Sequence, residues 1–556
     1  MNKKFRNGLL MMAAGVLAVS CADYNVTDDY HVAAPDIATV GPYSDLAPVK
    51  SYIDRANYPN MSIGATLKVA DFNKQELPHA AAITNFDNIA FGTNLMSGTI
   101  VNAKGVMNFL DMMDLLEHAE EIGAEVYGSP IFANANQADE WLNTLTAPIE
   151  VPVDYVEGKS VNFNEMSVGA YNGTIEKGKA SIVSYDGQNV LQISATPPIP
   201  GQVRIIEGFE VDPLATYTTT FWAKADRNAS FTVTFSGNPV KGSGPDGKFT
   251  FNAGKWTKIV VESKSAEGVT EGYLRIENSF SAVLYIQKVE VGYYPDNHRP
   301  QTEKEIADTI NYAINAWCDG LMKINEGRIK TFDLIDEAID SKATLDNGLY
   351  DLKHSTSSIY WQDIVGSENY APVVSNAAKA AFGRHGGNAS ELKFFISESG
   401  LEDSKKLESL NYWINLWNSK GAEIAGINAK LNLTYSENPA TQEANQAALD
   451  NLLANLASTG KLIRLSNFDI KYQNAEGANV TAKDIKEPQR QKLAEYYAYV
   501  IRSYMNKIPK DKQAGICKGN LADTGDPVGL WAVDASSKDW VRTATYKAFC
   551  DALSGK

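Results

Sequence analysis

Residues 462–470 read Leu462-Ile463-Arg464-Leu465-Ser466-Asn467-Phe468-Asp469-Ile470, and this stretch decides the fold. Its apolar opening is typical of a buried strand. Before it, Leu449, Leu452 and Leu456 recur at helical spacing, and Gly460 ends that helix. The stretch is therefore the strand of a helix-to-strand unit, with polar side chains at its carboxyl end.

The same alternation extends in both directions along the chain. Thr302 with Glu305 forms a capping box that opens a helix, and Ser404 begins another. Strand-like and helical runs alternate over about 60–147 and again from about 298 to the end. Alternation over about 350 residues predicts a parallel sheet, and this length suits a (β/α)8 barrel.

Residues 148–296 have a different composition, with short runs rich in Val, Ile, Thr, Tyr and Phe between Gly, Pro and Asn. Runs such as 216–222 and 256–261 predict strands at the spacing of an antiparallel sandwich, with Trp222 and Trp256 in its core. Such an insertion leaves and returns through one loop, which costs little when its ends lie close together. We therefore predict an α/β fold, a (β/α)8 barrel interrupted after the third strand by a β-sandwich (jelly-roll) domain.

The first residues have the pattern of an export signal. Lys3, Lys4 and Arg6 precede an apolar run, Leu9 to Val19, that is too short for a permanent membrane span. The run ends in Leu17-Ala18-Val19-Ser20-Cys21, which resembles the lipobox of bacterial lipoproteins. We expect a signal peptide over 1–20, acylation of Cys21, a tether over 21–58, and anchoring in the outer membrane. The alternative is a plain secretory signal with an incidental cysteine.

Composition excludes some classes of function. The chain has 556 residues and a net charge of −16, without the basic patches that nucleic acid requires. Three further cysteines, Cys318, Cys517 and Cys550, lack metal-type spacing. We interpret them as small core residues, with at most one pair bridged. We expect no metal and no cofactor.

Three stretches of the predicted barrel resemble glycoside hydrolase family 10, the endo-β-1,4-xylanases. Phe332-Asp333-Leu334-Ile335-Asp336-Glu337-Ala338 resembles the family's W-D-V-V-N-E-A strand, which carries the acid/base glutamate. Ile463 to Ile470 resembles its I-x-I-T-E-L-D-I strand, which carries the nucleophile. Phe86-Asp87-Asn88-Ile89-Ala90 through Met96 resembles its early F-N-x-I-T-x-x-N-E-M-K segment. The resemblance implies the barrel fold and xylan as the ligand class.

The inserted segment resembles carbohydrate-binding modules of families 4, 9 and 22, through 214–225 and Gly254-Lys255-Trp256-Thr257. Modules of this kind lie after the third strand in family 10 barrels of gut Bacteroidetes, the position of this insertion. Flat aromatic faces with a few polar groups are what sugars require. The candidate glycan contacts are Tyr171, Tyr273, Arg275 and Glu277 in the insertion, and Trp361 and Asp469 in the barrel.

The catalytic pattern of the family is largely replaced. Glu337 retains the acid/base position, but Asn467 stands at the nucleophile position, and an amide neither attacks a sugar nor carries a stabilising charge. None of the six histidines lies near the predicted strand ends. Further replacements by the family pattern are Thr93, Asn94, Met96, Ala133-Asn134, Asp336, Lys430-Leu431-Asn432 and Lys518-Gly519.

Three hypotheses follow. The first is a surface lipoprotein that binds xylan-type polysaccharide for a glycan-uptake complex. The second is a weak or altered endo-1,4-β-xylanase that uses Glu337 with Asp469, Asp336 or Asp333, since Asn467 and Asp469 would share one face of a strand. Against it, we favour the interpretation of Asp469 and Asp333 as buried structural carboxylates satisfied by neighbours such as Lys430 or Lys518. The third is a scaffold for another surface protein.

Overall fold

The computed structural model describes residues 41–213, 215–278 and 281–556, and of Pro245 the backbone alone. The predicted signal peptide, Cys21, residues 22–40 of the predicted tether and Leu214 lie outside the described residues. The chain divides into two compact units. The first comprises the chain up to Thr146 together with Glu303–Lys556, and the second is Ala147–Thr302.

The first unit contains eight parallel strands that close on themselves. They pair in chain order, and the last pairs with the first. The third and fourth strands meet at Gly128, which bridges to Phe332. Only glycine fits there, because a Cβ atom would lie 2.1 Å from the Phe332 ring. The strands are β1 Ser62–Thr66, β2 Asn88–Ala90, β3 Glu125–Tyr127, β4 Thr331–Asp336, β5 Lys393–Ser399, β6 Ile424–Lys430, β7 Leu462–Ser466 and β8 Gln513–Lys518.

Helices cover the outside of this barrel and bury their apolar faces against it. Asp403 caps the helix Ser404–Ser419 by accepting from the backbone N–H of Lys405. Within the described residues, no helix has the length and apolar character needed to cross a membrane. The helices are Val69–Asn73, Leu77–Asn85, Ser97–Ile100, Leu110–Glu121, Asp139–Leu145, Glu303–Asn325, Trp361–Val365, Tyr370–Arg384, Ser404–Ser419, Pro439–Ser458, Glu487–Lys507 and Ala544–Leu553.

Short elements decorate the barrel. Phe132–Ala133 pairs with the end of β4. Three two-stranded ladders join Ile339–Thr344 with Tyr350–Leu352, Leu433–Ser436 with Ile470–Gln473, and Trp531–Val533 with Trp540–Arg542. Cys318, Cys517 and Cys550 are buried, which confirms the prediction that they are core residues. None of the three forms a disulfide bond.

Residues 41–58 differ from the predicted tether. They contain a short 3-10 helix, Val49–Tyr52, and both Val49 and Ile53 are buried in the barrel unit. The Tyr546 hydroxyl donates to the carbonyl of Ala47, and the Arg542 guanidinium donates to the carbonyl of Leu46. This segment is therefore part of the folded barrel, because its apolar side chains find partners that sequence patterning does not reveal.

The second unit is an antiparallel sandwich of two sheets. One sheet has the order Thr257–Ser263, Thr216–Ala225, Val283–Tyr294, Gln188–Ser194, Lys179–Tyr185 and Gly169–Ala170, with Val156–Asn162 beside Val283–Tyr294. The other has the order Asn238–Val240, Ala229–Phe235, Glu271–Asn278, Gly201–Glu210 and Ile175–Lys177, with Phe249–Phe251 beside Ala229–Phe235.

Alternate side chains of both sheets form the core of this unit, including Phe221, Ile206 and Leu274. Trp222 and Trp256 are not in that core; both are half-buried, so their predicted core position is wrong. Trp222 alternates to the outer face of Thr216–Ala225, where Lys258 lies over its ring, and Trp256 precedes the strand Thr257–Ser263. Ile149–Glu150 pairs with His298–Arg299, which holds the two ends of the unit together.

Candidate functional site

A cavity of about 370 Å³ opens at the carboxyl ends of the barrel strands, where active sites of such barrels are built. Its walls come from β1, β2, β3, β4, β6, β7 and β8, so seven of the eight strands contribute. The lining residues are Thr66, Ala90, Phe91, Gly92, Thr93, Tyr127, Gly128, Ser129, Pro130, Asp333, Asp336, Asn428, Lys430, Arg464, Ser466, Asn467, Cys517, Gly519 and Asn520.

Glu337 follows β4 but does not line the cavity. Lys430, at the end of β6, contacts it at 3.1 Å and also contacts Asp336 at 2.5 Å. A second carboxyl group, Glu398 on β5, is hydrogen-bonded to Glu337 and lies 2.7 Å from Lys406. The predicted acid/base carboxylate is thus enclosed by two lysines and a buried glutamate.

These contacts decide which of the two carboxyl groups holds a proton. Burial opposes ionisation of Glu337, but hydrogen bonds from Glu398 and Ser399 and the charge of Lys430 lower its pKa to about 2. Burial, together with the adjacent Glu337, raises the pKa of the fully buried Glu398 to about 8. At neutral pH, Glu398 therefore donates to an ionised Glu337.

Asn467 follows β7 and lines the cavity, as predicted for the nucleophile position. Its side-chain amide donates to the carbonyl of Leu431 at 3.1 Å. Asn467 and Glu337 both have left-handed backbone, with φ of 51° and 53°, a conformation that costs a non-glycine residue about 1–2 kcal/mol. The chain therefore keeps the sharp turns that would aim two catalytic side chains, although one of the two is an amide.

The two other predicted carboxylates are structural. Asp469 does not share the face of Asn467, because the left-handed turn at Asn467 ends the strand alternation. Its carboxylate binds the ammonium of the buried Lys518 and accepts from both nitrogens of Asn520, and it does not line the cavity. Its contacts are thus with Lys518 and Asn520, and the role of Asp469 as a ligand contact stays a prediction.

Asp333 is buried beneath the cavity and accepts from the Tyr127 hydroxyl at 2.7 Å and from the Asn428 amide at 2.8 Å. Burial raises its pKa to about 6, although these two hydrogen bonds oppose the rise. Lys430 contacts Asp336 and Glu337 instead. The interpretation of Asp333 and Asp469 as satisfied structural carboxylates therefore agrees with their contacts, with Tyr127 and Asn428 in place of a lysine for Asp333.

Trp361 does not present the aromatic face that a glycan contact at this residue would require. It is 2% exposed, opens the helix Trp361–Val365, and packs edge-on against Phe132 with ring centres 5.3 Å apart. The aromatic residues that line the cavity are Phe91 and Tyr127, and both are buried. The cavity therefore offers polar groups rather than an aromatic face for a sugar ring.

The predicted residues of the second unit do come together. Tyr273, Arg275 and Glu277 lie on the outer face of Glu271–Asn278, each half-buried. The Arg204 guanidinium covers the Tyr273 ring at 4.1 Å, and Arg275 contacts Glu176 at 3.0 Å. Glu277 accepts from the Gln202 amide. This face is a connected polar surface with one tyrosine ring.

Tyr171 is not on the strand of Tyr273 but contacts the neighbouring strand Gly201–Glu210. Its hydroxyl donates to the carbonyl of Arg204 at 2.7 Å, and its ring lines a cavity of about 480 Å³ within the second unit. Lys159, Met166 and Glu207 share this cavity. The cavity is bounded by both polar and apolar side chains, so it offers a second place for a small polar ligand.

Sequence reasoning missed Glu398, Lys406 and Arg464. Arg464 lies in the middle of an apolar strand, Glu398 lies near the carboxyl end of another, and both are buried. A charged residue within such a run is a usable signal, because burial of a charge requires a partner or a function. In the described part of the chain, no group of three or more His, Cys, Asp or Glu side chains is arranged to hold a metal ion.

Comparison with known proteins identifies the barrel. Residues 296–524 match the family model of glycosyl hydrolase family 10. Among solved structures, xylanase B from Clostridium stercorarium F9 is 11% identical with a TM-score of 0.50, over 91% of this chain and 100% of that one. A GH10 endoxylanase retrieved from a sugarcane soil metagenome is 9% identical with the same TM-score and coverage.

Xylanase XynB from Paenibacillus barcinonensis, solved with a conduramine derivative, is 8% identical with a TM-score of 0.50, over 91% of this chain and 98% of that one. No curated protein matches the sequence. At these identities the solved structures establish the fold alone. The predicted architecture is confirmed: the chain contains a (β/α)8 barrel of the glycosyl hydrolase family 10 type, to which residues 296–524 also match in sequence.

Proposed function

We propose that this protein binds a xylan-type polysaccharide without hydrolysing it. The observation that carries the proposal is the state of the two catalytic positions. Asn467 faces the cavity with an amide, and the Glu337 carboxylate is held ionised beside Lys430. Retaining hydrolysis requires a carboxylate nucleophile and a protonated acid, and neither group stands at these two positions at neutral pH.

The altered-hydrolase hypothesis meets a geometric difficulty. An inverting reaction needs two carboxyl groups about 6.5–9.5 Å apart with water between them. Glu398 touches Glu337 directly, and Asp336 is bound by Lys430. A general acid also needs a pKa near the working pH, whereas that of Glu337 is about 2. These contacts favour binding over catalysis.

Two surfaces support polysaccharide binding. The polar face of Tyr273, Arg275 and Glu277 combines a ring with hydrogen-bonding groups, as carbohydrate sites do. The barrel cavity adds hydroxyl and amide groups from Thr93 and Asn520. The similarity of the insertion to carbohydrate-binding modules makes the Tyr273 face the primary contact of our proposal.

The proposal includes export and anchoring through Cys21 in the outer membrane, where a bound polysaccharide would be passed to an uptake complex. The signal-like residues 1–20 and the lipobox-like Leu17 to Cys21 support it. In a bacterial host, we expect the protein in the membrane fraction and Cys21→Ala in the soluble fraction. A Cys21→Ala protein that stays membrane-bound would contradict the anchor.

Affinity and activity measured on one preparation test the function. We expect binding to xylan or arabinoxylan over mannan and mixed-linkage glucan, with no release of reducing ends. Asn467→Glu should remain inactive, because Lys430 still holds Glu337 ionised. Turnover by the unaltered protein that is abolished in Glu337→Gln would establish the hydrolase instead. Absence of both affinity and turnover would leave the scaffold hypothesis.

A further inference from the structure

Arg464 is a buried cation without a salt bridge among the described residues. It lies in the middle of β7, is 2% exposed, and lines the cavity at the carboxyl ends of the strands. Its guanidinium stacks on the Tyr127 ring at 3.8 Å and its charge acts on the buried Asp333, but its Nε atom has no hydrogen-bond partner and it forms no salt bridge with any residue of the described ranges. Burial of an unpaired charge is costly, so this arrangement requires an explanation.

Other polar atoms around the same cavity are also unpaired. The Nε atom of Arg464, the hydroxyl of Ser129 and the side-chain oxygen of Asn428 are all buried and lack a hydrogen-bond partner. The two acidic groups of the cavity are already satisfied, Asp333 by Tyr127 and Asn428, and Asp336 by Lys430 and Ser397. The cavity therefore presents a free guanidinium whose neighbouring carboxylates have other partners.

Arg464 also borders a second cavity, at the amino ends of the strands, which Arg55, Lys393, Asp87 and Glu125 line with it. Arg55 is paired with Asp87, and the charges of Arg464 and Lys393 both act on Glu125, so the cations of that cavity already face carboxylates. The carboxyl-end cavity also carries Asn467, at the nucleophile position, so it is where we place an anionic ligand of Arg464.

We propose that the barrel cavity binds an acidic sugar, a uronic acid residue of the polysaccharide, whose carboxylate pairs with Arg464. A guanidinium binds a carboxylate through two parallel hydrogen bonds, and the neighbouring Ser129 and Asn428 supply contacts for ring hydroxyls. The buried aromatic lining explains why ionic rather than stacking contacts dominate. This inference rests on the proposed function and narrows its ligand class.

If Arg464 is kept for ligand binding, removing its buried charge should affect stability and ligand affinity in opposite directions. Arg464→Met keeps an unbranched, polarisable side chain against Tyr127 and removes the buried charge. We expect this variant to unfold at a higher temperature than the unaltered protein while losing the acidic ligand. A residue kept for packing alone would show a lower unfolding temperature and unchanged ligand affinity.

Calorimetry on the full chain provides the test. The probes are a xylo-oligosaccharide with one glucuronic acid substituent and the unsubstituted oligosaccharide of the same backbone length. We expect the acidic probe to bind at least about tenfold more tightly, and Arg464→Met to remove the difference. Lys471→Gln, which removes an exposed lysine after β7, should leave both affinities unchanged.

The outcomes separate this inference from the proposed function. Equal affinity for the two probes, or a preference that survives in Arg464→Met, overturns the role of Arg464 while leaving neutral polysaccharide binding intact. Binding of neither probe by a chain that still retains polymeric xylan overturns the cavity as the site. Loss of all polysaccharide binding overturns both proposals.

Discussion

At the scale of single residues, the carboxyl ends of β4, β5 and β6 form one ionic cluster of Glu337, Glu398, Lys406 and Lys430. Here Lys430 contacts both Asp336 and Glu337, and their two charges raise the pKa of this lysine although burial opposes the rise. The ion pair with Lys430 and the hydrogen bond from Glu398 hold Glu337 in its ionised form, so it is not available to donate a proton.

This cluster predicts a pH dependence of stability. The pKa of Glu398 is raised from 4.5 to about 8, so its proton stabilises the fold below about pH 4.5, and this contribution is lost as pH rises towards 8. Glu398→Gln keeps the donor but cannot titrate. We expect its free energy of unfolding, relative to the unaltered protein, to increase between pH 5 and 8 by at most about 1.4 kcal/mol per unit.

Urea unfolding at several pH values measures this difference. Glu402→Gln, at an exposed glutamate, serves as the control and should follow the unaltered protein throughout. A Glu398→Gln protein with the same pH profile as the unaltered protein would show that Glu398 is ionised in the native state.

At the scale of elements, the segment 41–58 and the barrel helices form a common core. Val49 is fully buried, and its backbone N–H donates to the Asn85 side chain. We expect Val49→Ala to lower the free energy of unfolding by about 2 kcal/mol, because it removes buried methyl groups and leaves a cavity. Val106→Ala, at a valine that is 61% exposed, should change it by less than about 0.5 kcal/mol. Thermal unfolding measures both changes. If Val49→Ala and Val106→Ala had equal effects on the free energy of unfolding, residues 41–58 would behave as the predicted tether and not as part of the core.

Two helices of the barrel meet through a histidine pair. His79 on Leu77–Asn85 and His118 on Leu110–Glu121 lie with their Nε2 atoms 2.8 Å apart, so one ring must accept and remain neutral. Burial, with a smaller effect of His118, lowers the pKa of His79 below 6.5. The stability from this pair is present above about pH 6.5 and is lost as pH falls through the lowered pKa.

Because Glu398 acts in the opposite direction over the same range, the histidine pair is tested by a variant: the free energy of unfolding of His79→Gln, relative to the unaltered protein, should rise as pH falls from 7.5 to 5, by up to about 1.4 kcal/mol per pH unit. Chemical unfolding at the two pH values measures the slope. His298→Gln, at a half-exposed histidine of the second unit, should keep the slope of the unaltered protein. A steeper slope in His79→Gln would assign the acid sensitivity to other groups.

Particular elements show which features of the structure the sequence pattern predicts and which it does not. Periodicity and capping predicted the helix Ser404–Ser419 and the strand before Asn467, because each depends on local spacing. Trp361 and Trp222 were misassigned, since whether a tryptophan is buried depends on which distant element covers it. The pairing of Glu337 with Glu398 joins positions 61 residues apart on adjacent strands, and strand register alone brings them together.

At the scale of the whole molecule, the insertion is a self-contained unit. Its core lies between its own two sheets, and its ends are joined by pairing of Ile149–Glu150 with His298–Arg299. The Gln301 amide also donates to the carbonyl of Ala147 at 2.9 Å. Residues Thr146 and Glu303 can therefore be rejoined by a short linker, because removal of the unit opens only a small gap.

We expect residues 147–302 alone, and the barrel with that unit replaced by a short Gly-Ser linker, each to unfold in one cooperative transition by calorimetry. The free unit should retain xylan binding, and Tyr273→Ala should weaken it about tenfold, because this ring is the aromatic group of its polar face. Tyr294→Ala, at a tyrosine that is 52% exposed, is the matched control and should bind normally. Xylan binding that remains with the excised barrel and is absent from the free unit would move the primary contact to the barrel cavity, where Arg464 rather than Tyr273 would then determine affinity.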